Sequence, residues 1–540
     1  MSAALVFKFG GTSVASPPAV EALARIVGAA TGERLVVVSA TAGTTDTLVK
    51  AAQQATAGDA AGAQQSIQRL AEQHKNLAAD LVGITGADAL TEISELTERT
   101  IALLRSIAQL RECTPRSLDA VLSYGERVSA PIVAALLMKR GVAAEALSAE
   151  GLLITDDAFG HANPLMALTR ERVEAQLRPR MRYGTVPVVT GFVASTAEGV
   201  TTTLGRGGSD YSAALFAAAL GARECRIYTD VSGVMNADPR IVPDAKPLPA
   251  LSYAEAAELS YFGAKVIHPR TVLPAIEAGI PVRILNTFAP DDAGTTITAQ
   301  TVRDDTVVKA TTSLAGLGLV TVQGAGMSGV PGFAARVFDT TAALGISVLM
   351  ISQASSENSI CLAVPNESVE RLEAALRKMF SPELARHDVE RVTVEAPVAI
   401  VSAGGEGMRG TPGVAARLFG AIARAGVNVV AIAQGSSELN ISLVVHEPDR
   451  DAAVRAVTRS STRRNRATTD ADASHYSDDN EAVGRGPWGH RHGRAAVHHA
   501  AGWAPLVRPR GAHDVRAQRR QAVRGRGALA PARADAGLRR

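Results

Sequence analysis

At 540 residues the chain is too long for one hydrophobic core, and about three to four domains are expected. Hydrophobic residues at 46% fit a globular protein, and aromatics at only 4% mean a core built mostly from Ala, Val, Leu and Ile. The net charge of +3 conceals a split: the stretch from Ser461 to Arg540 holds 16 Arg, no Lys and 7 acidic residues, and carries +9 against −6 for the rest.

The basic balance therefore belongs to the tail, and the body has no electrostatic footprint for nucleic acid. Cys113, Cys225 and Cys361 lie far apart, without disulfide-framework or metal-ligand spacing, which suits a reducing compartment. No basic-then-apolar leader opens the chain, and no apolar run reaches membrane-spanning length. The expectation is a cytoplasmic enzyme with neither a membrane nor a nucleic-acid partner.

In chain order, the apolar run Ala3-Ala4-Leu5-Val6-Phe7 predicts a buried strand that delivers Lys8-Phe9-Gly10-Gly11-Thr12-Ser13 where it gives way to a loop. Two glycines let backbone N–H groups approach an anion, and Lys8 adds a fixed positive charge. Phosphoryl transfer needs this combination of charge neutralisation and positioning. The order is not that of a Walker A loop, and a Gly-Gly pair after a strand is also an ordinary turn. Leu35–Val38, Val186–Thr190, Arg226–Thr229 and Val282–Leu285 read as further buried strands, and Ser212–Leu220 and Tyr253–Leu259 as helices. Such alternation predicts an α/β domain with a largely parallel sheet, whose ligands sit beyond the carboxyl ends of the strands.

Motifs fall at those ends. The segment Ser39 to Thr45 offers small hydroxyls, and Ser123-Tyr124-Gly125-Glu126-Arg127 sets a carboxylate beside a glycine. Gly205-Arg206-Gly207-Gly208-Ser209-Asp210 opens a helix, a place where free N–H groups and the helix dipole favour anions. Arg206 can fork to a carboxylate, while Asp210 reads equally as a first-turn acid. Thr229-Asp230-Val231 and Asp238-Pro239-Arg240 follow another strand and, alone, read as loop and turn. Ser260-Tyr261-Phe262-Gly263-Ala264-Lys265 closes a helix, where glycine and lysine are also ordinary capping residues.

Further along, the chain repeats itself. Gly326-Met327, Ala335-Arg336 and Gln353-Ala354-Ser355-Ser356-Glu357 recur as Gly407-Met408, Ala416-Arg417 and Gln434-Gly435-Ser436-Ser437-Glu438, each shifted by 81 residues. Each copy reads strand, glycine loop, helix, strand, strand.

Together these phrases resemble the aspartokinases of the amino-acid kinase superfamily over roughly Leu5 to Val457, closest to the kinase half of bifunctional aspartokinase–homoserine dehydrogenases. The repeat resembles paired ACT domains, modules that sense amino acids. The resemblance implies an amino-acid kinase fold, a largely parallel sheet with helices on both faces, followed by two ACT domains of βαββαβ type. It implies transfer of phosphate from ATP, with Mg²⁺, to the side-chain carboxylate of L-aspartate, a step feeding lysine, threonine and methionine synthesis. By motif, Lys8 and Asp210 are catalytic. Thr45, Glu126, Arg206, Gly207, Gly208 and Ser209 hold aspartate. Lys8, Gly10, Gly11, Ser13, Thr229, Asp230, Arg240 and Lys265 line the ATP site. No protein side-chain cage for a metal is expected. Met235 departs from the tyrosine that many relatives carry in the nucleotide loop. Gln353 and Gln434 are the expected effector contacts, with threonine favoured over lysine, and ACT pairing implies at least a homodimer. The implied division is 1–304 for the kinase, 305–390 and 391–458 for the ACT pair, and 459–540 for a tail, with 305–314 available to complete the second copy. Two rivals stand beside this reading: another carboxylate kinase, such as one acting on acetylglutamate, and a non-catalytic amino-acid sensor.

The tail changes character, holding both tryptophans (Trp488, Trp503) and six of eleven histidines without apolar periodicity. It reads as disordered or non-native. Shifting Gly486 to His492 forward by one nucleotide permits Gly-x-Gly-x-Ile-Gly, compatible with the start of a dinucleotide loop. The expectation is a frameshifted tail, with no NAD(P)-dependent activity.

Overall fold

The computed structural model describes residues 3–261, 269–299 and 306–461. Its first strand, β1 (Leu5–Phe9), is buried along its whole length. It continues two residues beyond the apolar run, so Lys8 is a strand residue paired between Val37 and Ile227. The further strands of the first half are β2 (Arg34–Val38), β3 (Ala144–Leu147), β4 (Val186–Thr190), β5 (Val193–Ser195), β6 (Thr201–Thr203), β7 (Glu224–Thr229), β8 (Ala250–Ser252), β9 (Val282–Asn286) and β10 (Thr295–Thr298). Eight form one sheet in the order β3-β4-β2-β1-β7-β9-β10-β8, parallel throughout except for β9 against β10. β5 and β6 make a separate ladder.

Sheets of this kind are covered on both faces, which is why the central strands are apolar without alternation. Phe7 and Phe9 face a cluster with Leu23, Leu48, Ile67 and Ile93. Val6 faces the opposite cluster, with Leu215 and Phe216 of the helix Gly208–Leu220. Successive strand residues point to opposite faces, so Lys8 shares the side of Val6 and is aimed at that helix. The helix starts four residues earlier than the apolar pattern suggests, because Gly207 takes a left-handed φ of 73° at the N-cap. The stretch Pro115–Lys139 is apolar and long enough to cross a membrane, but it is mostly buried against the rest of the fold.

The second sheet contains β11 (Ala310–Gln323), β12 (Met350–Gln353), β13 (Ser359–Pro365), β14 (Arg391–Gly404), β15 (Ala431–Gln434) and β16 (Asn440–His446). Its order is β12-β13-β11-β14-β16-β15, antiparallel throughout. The two long strands are shared. Residues 310–314 of β11 pair with 400–404 of β14; beyond a register shift, 317–323 pair with both β13 and the start of β14. Each sequence copy adds two main helices, Phe333–Ala343 and Val369–Met379 in the first, Val414–Arg424 and Arg450–Ser461 in the second. The sheet curves until its edges meet, where Ser352 Oγ donates to Ile432 O at 2.9 Å. This enclosed face holds Leu319, Met350, Ile400 and Val444, drawn from both copies.

One carboxylate joins the two sheets. Glu255 and Ser252 form a reciprocal capping box on the helix Tyr253–Tyr261: Ser252 N donates to Glu255 Oε2 at 2.9 Å and Glu255 N to Ser252 Oγ at 3.1 Å. The same carboxylate takes Lys309 Nζ at 3.1 Å, just ahead of β11, and Glu406 N at 2.8 Å, in the loop after β14. Both charged side chains are buried. Ile241, from the loop that carries Asp238 and Arg240, packs into the core of the second copy with Met408 and Leu418.

Candidate active site

A cavity of about 500 Å³ opens at the carboxyl end of β1. It brings together Lys8, Thr45, Glu126 and the run Arg206 to Asp210, parts of the chain up to 200 residues apart. Lys8 Nζ meets Asp210 Oδ1 at 2.5 Å, an ion pair without an aligned hydrogen bond. Asp210 is in the first turn of its helix, so the first-turn position and the site position are one. Arg206 is exposed at the cavity wall and, among the described residues, meets no carboxylate.

Glu126 lies in the first turn of the helix Tyr124–Lys139 and is almost fully buried. Its Oε2 has no hydrogen-bond partner. Burial pushes its carboxyl up to about 8, although the N–H groups of Ala40 and of Glu126 itself, and then the Lys8 charge, favour ionisation. Ionised and unpaired at this depth, a carboxylate costs several kcal/mol (roughly, after relaxation), so the group favours its neutral form. That oxygen belongs to a residue of the cavity wall.

The segment 39–45 is fixed by close approach. A Cβ on Gly11 would fall 2.9 Å from Ala40 O, and one on Gly125 would fall 2.6 Å from Ala40 Cβ. Below it, His74 is buried, and burial lowers its pKa. Its Nδ1 donates to Leu70 O at 2.7 Å, which leaves Nε2 of the neutral ring to accept from Thr41 Oγ1 at 3.0 Å. Thr41 in turn bonds Thr44 at 2.7 Å, beside Thr45.

Lys8 apart, the expected nucleotide residues that the structure describes do not line this cavity. Gly10 N donates to Tyr228 O at 3.1 Å and Thr287 N to Thr229 O at 2.8 Å, so the ends of β1, β7 and β9 form a continuous rim next to Lys8. Gly10, Gly11, Thr229 and Asp230 lie along that rim. Ser13 is fully buried, and its hydroxyl bonds Thr287 Oγ1 at 2.6 Å. Arg240 is exposed and already bound to Asp238, with Nη2 to Oδ2 at 2.6 Å. Lys265 lies outside the described residues, as does the tail from 462 onward.

Six wall residues carry no sequence motif: Leu118, Asp119, Leu122, Gly160, Phe192 and Thr203. Phe192 takes a left-handed φ of 61°, where glycine is usual, and no local sequence signal marks it. Among the described residues no three His, Cys, Asp or Glu side chains form a metal cage. A nucleotide-bound Mg²⁺ asks for only one or two carboxylates beside phosphate oxygens, and Asp210, with an oxygen lacking an aligned donor, fits that demand.

Gln353 and Gln434 end β12 and β15, at equivalent places in the two copies. Gln353 lines a cavity of about 400 Å³ with Gly329, Pro331, Phe333 and Glu357. The loops are built alike: Glu357 and Glu438 both have φ of 56°, and their carboxylates accept from Gly329 N and Gly410 N at 3.0 and 2.7 Å.

Comparison with known proteins agrees with this architecture. A sequence model of the amino acid kinase family matches residues 3–286, and one of an ACT domain matches 320–380 and 401–460. A maize protein named bifunctional aspartokinase/homoserine dehydrogenase 2, chloroplastic, is 38% identical over 464 residues, 84% of this chain and 50% of the relative. Two structures of E. coli aspartokinase III each superpose with a TM-score of 0.71 and are covered over 99% of their length. The complex with aspartate and ADP is 32% identical and matches 84% of this chain; that with lysine and aspartate is 33% identical and matches 85%. The chain belongs to the amino acid kinase family, on its aspartokinase branch. It spans about half the length of the first curated relatives it matches.

Proposed function

We propose that this chain phosphorylates the side-chain carboxylate of L-aspartate with ATP. The carrying observation is Glu126, a buried carboxyl with an unpartnered oxygen in the same cavity as Lys8, Asp210 and Arg206. The substrate ammonium pairs with Glu126, and Arg206 forks to its α-carboxylate. The attacking carboxylate is already ionised near pH 7, so the site needs no general base. Lys8 neutralises charge on the transferred group, and Asp210 holds the metal–nucleotide. Bound Mg²⁺ supplies charge neutralisation at the phosphates. The rim of Gly10, Gly11, Thr229 and Asp230 receives the nucleotide, with Arg240 and Lys265 as outlying contacts. The cytoplasm is the proposed compartment; the maize relative's name places that protein in the chloroplast.

The test is ADP release from purified protein with ATP and Mg²⁺, with the acyl phosphate trapped as a hydroxamate. Release that depends on L-aspartate and fails with N-acetylglutamate is expected, because acetylation removes the cation that Glu126 requires. Turnover with N-acetylglutamate alone overturns the substrate, and no turnover with either favours a sensor without chemistry.

We also propose feedback through Gln353 and Gln434, with threonine ahead of lysine, in an assembly of at least two chains. The like build of the two loops supports paired effector sites, and the exposed Ile351 and Ile432, where β12 and β15 meet, offer apolar side chains to a second copy. The threonine choice rests on the likeness of the Gln353 and Gln434 segments to bifunctional enzymes, while one E. coli neighbour was solved with lysine. Initial rates with each amino acid decide; inhibition by lysine alone sinks threonine.

A further inference from the structure

Asp119 is the one fully buried carboxylate of the cavity wall that the proposed chemistry leaves without a task. It belongs to the helix Pro115–Leu122, which also places Leu118 and Leu122 in the wall and leads directly into the helix of Glu126. Its Oδ2 accepts from Gly160 N at 2.9 Å and Thr203 N at 3.0 Å, and its Oδ1 from Thr203 Oγ1 at 2.8 Å. Three donors from two distant segments therefore converge on one carboxylate. Burial pushes its pKa up while these donors and the nearby His161 pull it down, so each bond matters to holding its charge.

The segments it ties are the ones that present Arg206. Thr203 ends β6, and its carbonyl accepts from Ala162 N at 3.0 Å, closing a ring of contacts between the 160–162 turn and the strand end. Two residues on, Gly205 has φ of 74°, and a Cβ there would lie 3.0 Å from Gly160 O. Arg206 follows at once. The turn at Gly160 thus backs the Arg206 loop, and Asp119 anchors both to the support of Glu126.

We propose that Asp119 is a positioning residue for the amino-acid substrate: its carboxylate clamps the Gly160 turn and the end of β6 to the helix leading into Glu126, and so sets the span between Glu126 and Arg206. A substrate with an ammonium and a carboxylate at fixed separation is gripped at both ends only if that span is fixed. With three donors on its two oxygens, Asp119 is committed to the protein and acts through Arg206, not by touching substrate. This inference rests on the aspartate-kinase reading of the site.

The test compares wild type with Asp119→Asn and Thr203→Val, the second deleting only the hydroxyl bond. Asp119→Asn raises KM for aspartate about tenfold or more, with kcat within about threefold and KM for ATP within about twofold; misplaced positioning groups cost this much without touching the chemistry. Thr203→Val moves the same constant the same way, by less. An unchanged KM for aspartate, an equal rise for both substrates, or a loss in kcat alone overturns the proposal. Should Asp119→Asn not fold, Thr203→Val decides by the same criteria. Hydrogen exchange at the Gly160 and Thr203 amides reads the clamp without turnover. Faster exchange at both in the Asp119 variant sustains it even if wild type leaves aspartate untouched, the outcome that removes the kinase reading alone. Unchanged exchange overturns it.

Discussion

The amino-acid wall of the cavity and the nucleotide rim beside it are built in opposite ways. The wall is dry: Glu126, Asp119 and Thr203 are buried, and the glycine at 125 admits a neighbour, Ala40, that any side chain would push away. The rim is wet: Asp230 and Arg240 are exposed, and Arg240 is already bound to Asp238. Interactions are worth far more in the dry region than in the wet one. Selectivity for the small substrate should therefore rest on single side chains, whereas nucleotide binding should be spread over backbone and many weak contacts.

The largest expected break lies where the two regions meet. Lys8→Ala and Asp210→Ala each lower kcat by about a hundredfold to a thousandfold, the usual cost of losing one preorganised charge in a closed site. Circular dichroism should show both variants folded, and near-normal rates in either would remove these roles. Next is Glu126→Gln, which leaves the substrate ammonium facing a neutral amide. KM for aspartate rises on the order of a hundredfold, while KM for ATP stays within about twofold. Equal changes in both would erase the distinction between wall and rim.

The pH dependence sharpens the same contrast. With its carboxyl raised to about 8, Glu126 is mostly protonated at pH 7 in the free protein and must ionise to pair with an ammonium. Affinity for aspartate therefore increases from pH 6 to 8, and binding releases a proton, measurable by calorimetry in buffers of different ionisation heat. Stability runs the other way. The unfolded chain ionises this group near 4.5, so stability from this group falls as pH rises from there to about 8 and is level beyond. Glu126→Gln removes that slope. The smallest effect is expected on the rim: Arg240→Ala changes KM for ATP by less than about fivefold and leaves aspartate kinetics alone, as for exposed pairs generally.

The wall was more legible in the sequence than the rim, and burial explains why. Lys8, Thr45, Glu126 and the Arg206 loop each follow a buried strand or open a helix, so local pattern places them at strand ends. The residues of the rim carry equally clear phrases, yet phrase and location part company there. Ser13 looks like a loop hydroxyl and is pinned inside by Thr287, a partner 274 residues away. No sequence motif marks Asp119; only the arrival of Thr203, 84 residues later, turns it into a clamp. The 81-residue repeat exposed the two copies, and the resemblance offered 305–314 to the second, but neither marked the register shift at which β11 passes from one copy to the other.

The capping box at Ser252 and Glu255 has a consequence for cooperativity. The carboxylate that starts a helix under the first sheet also receives Lys309 and the loop after β14. Separating the sheets would break the Lys309 and Glu406 bonds and loosen that helix start in the same event. This shared carboxylate couples the two halves, so the protein should melt as one calorimetric transition. Glu255→Gln should divide that transition in two.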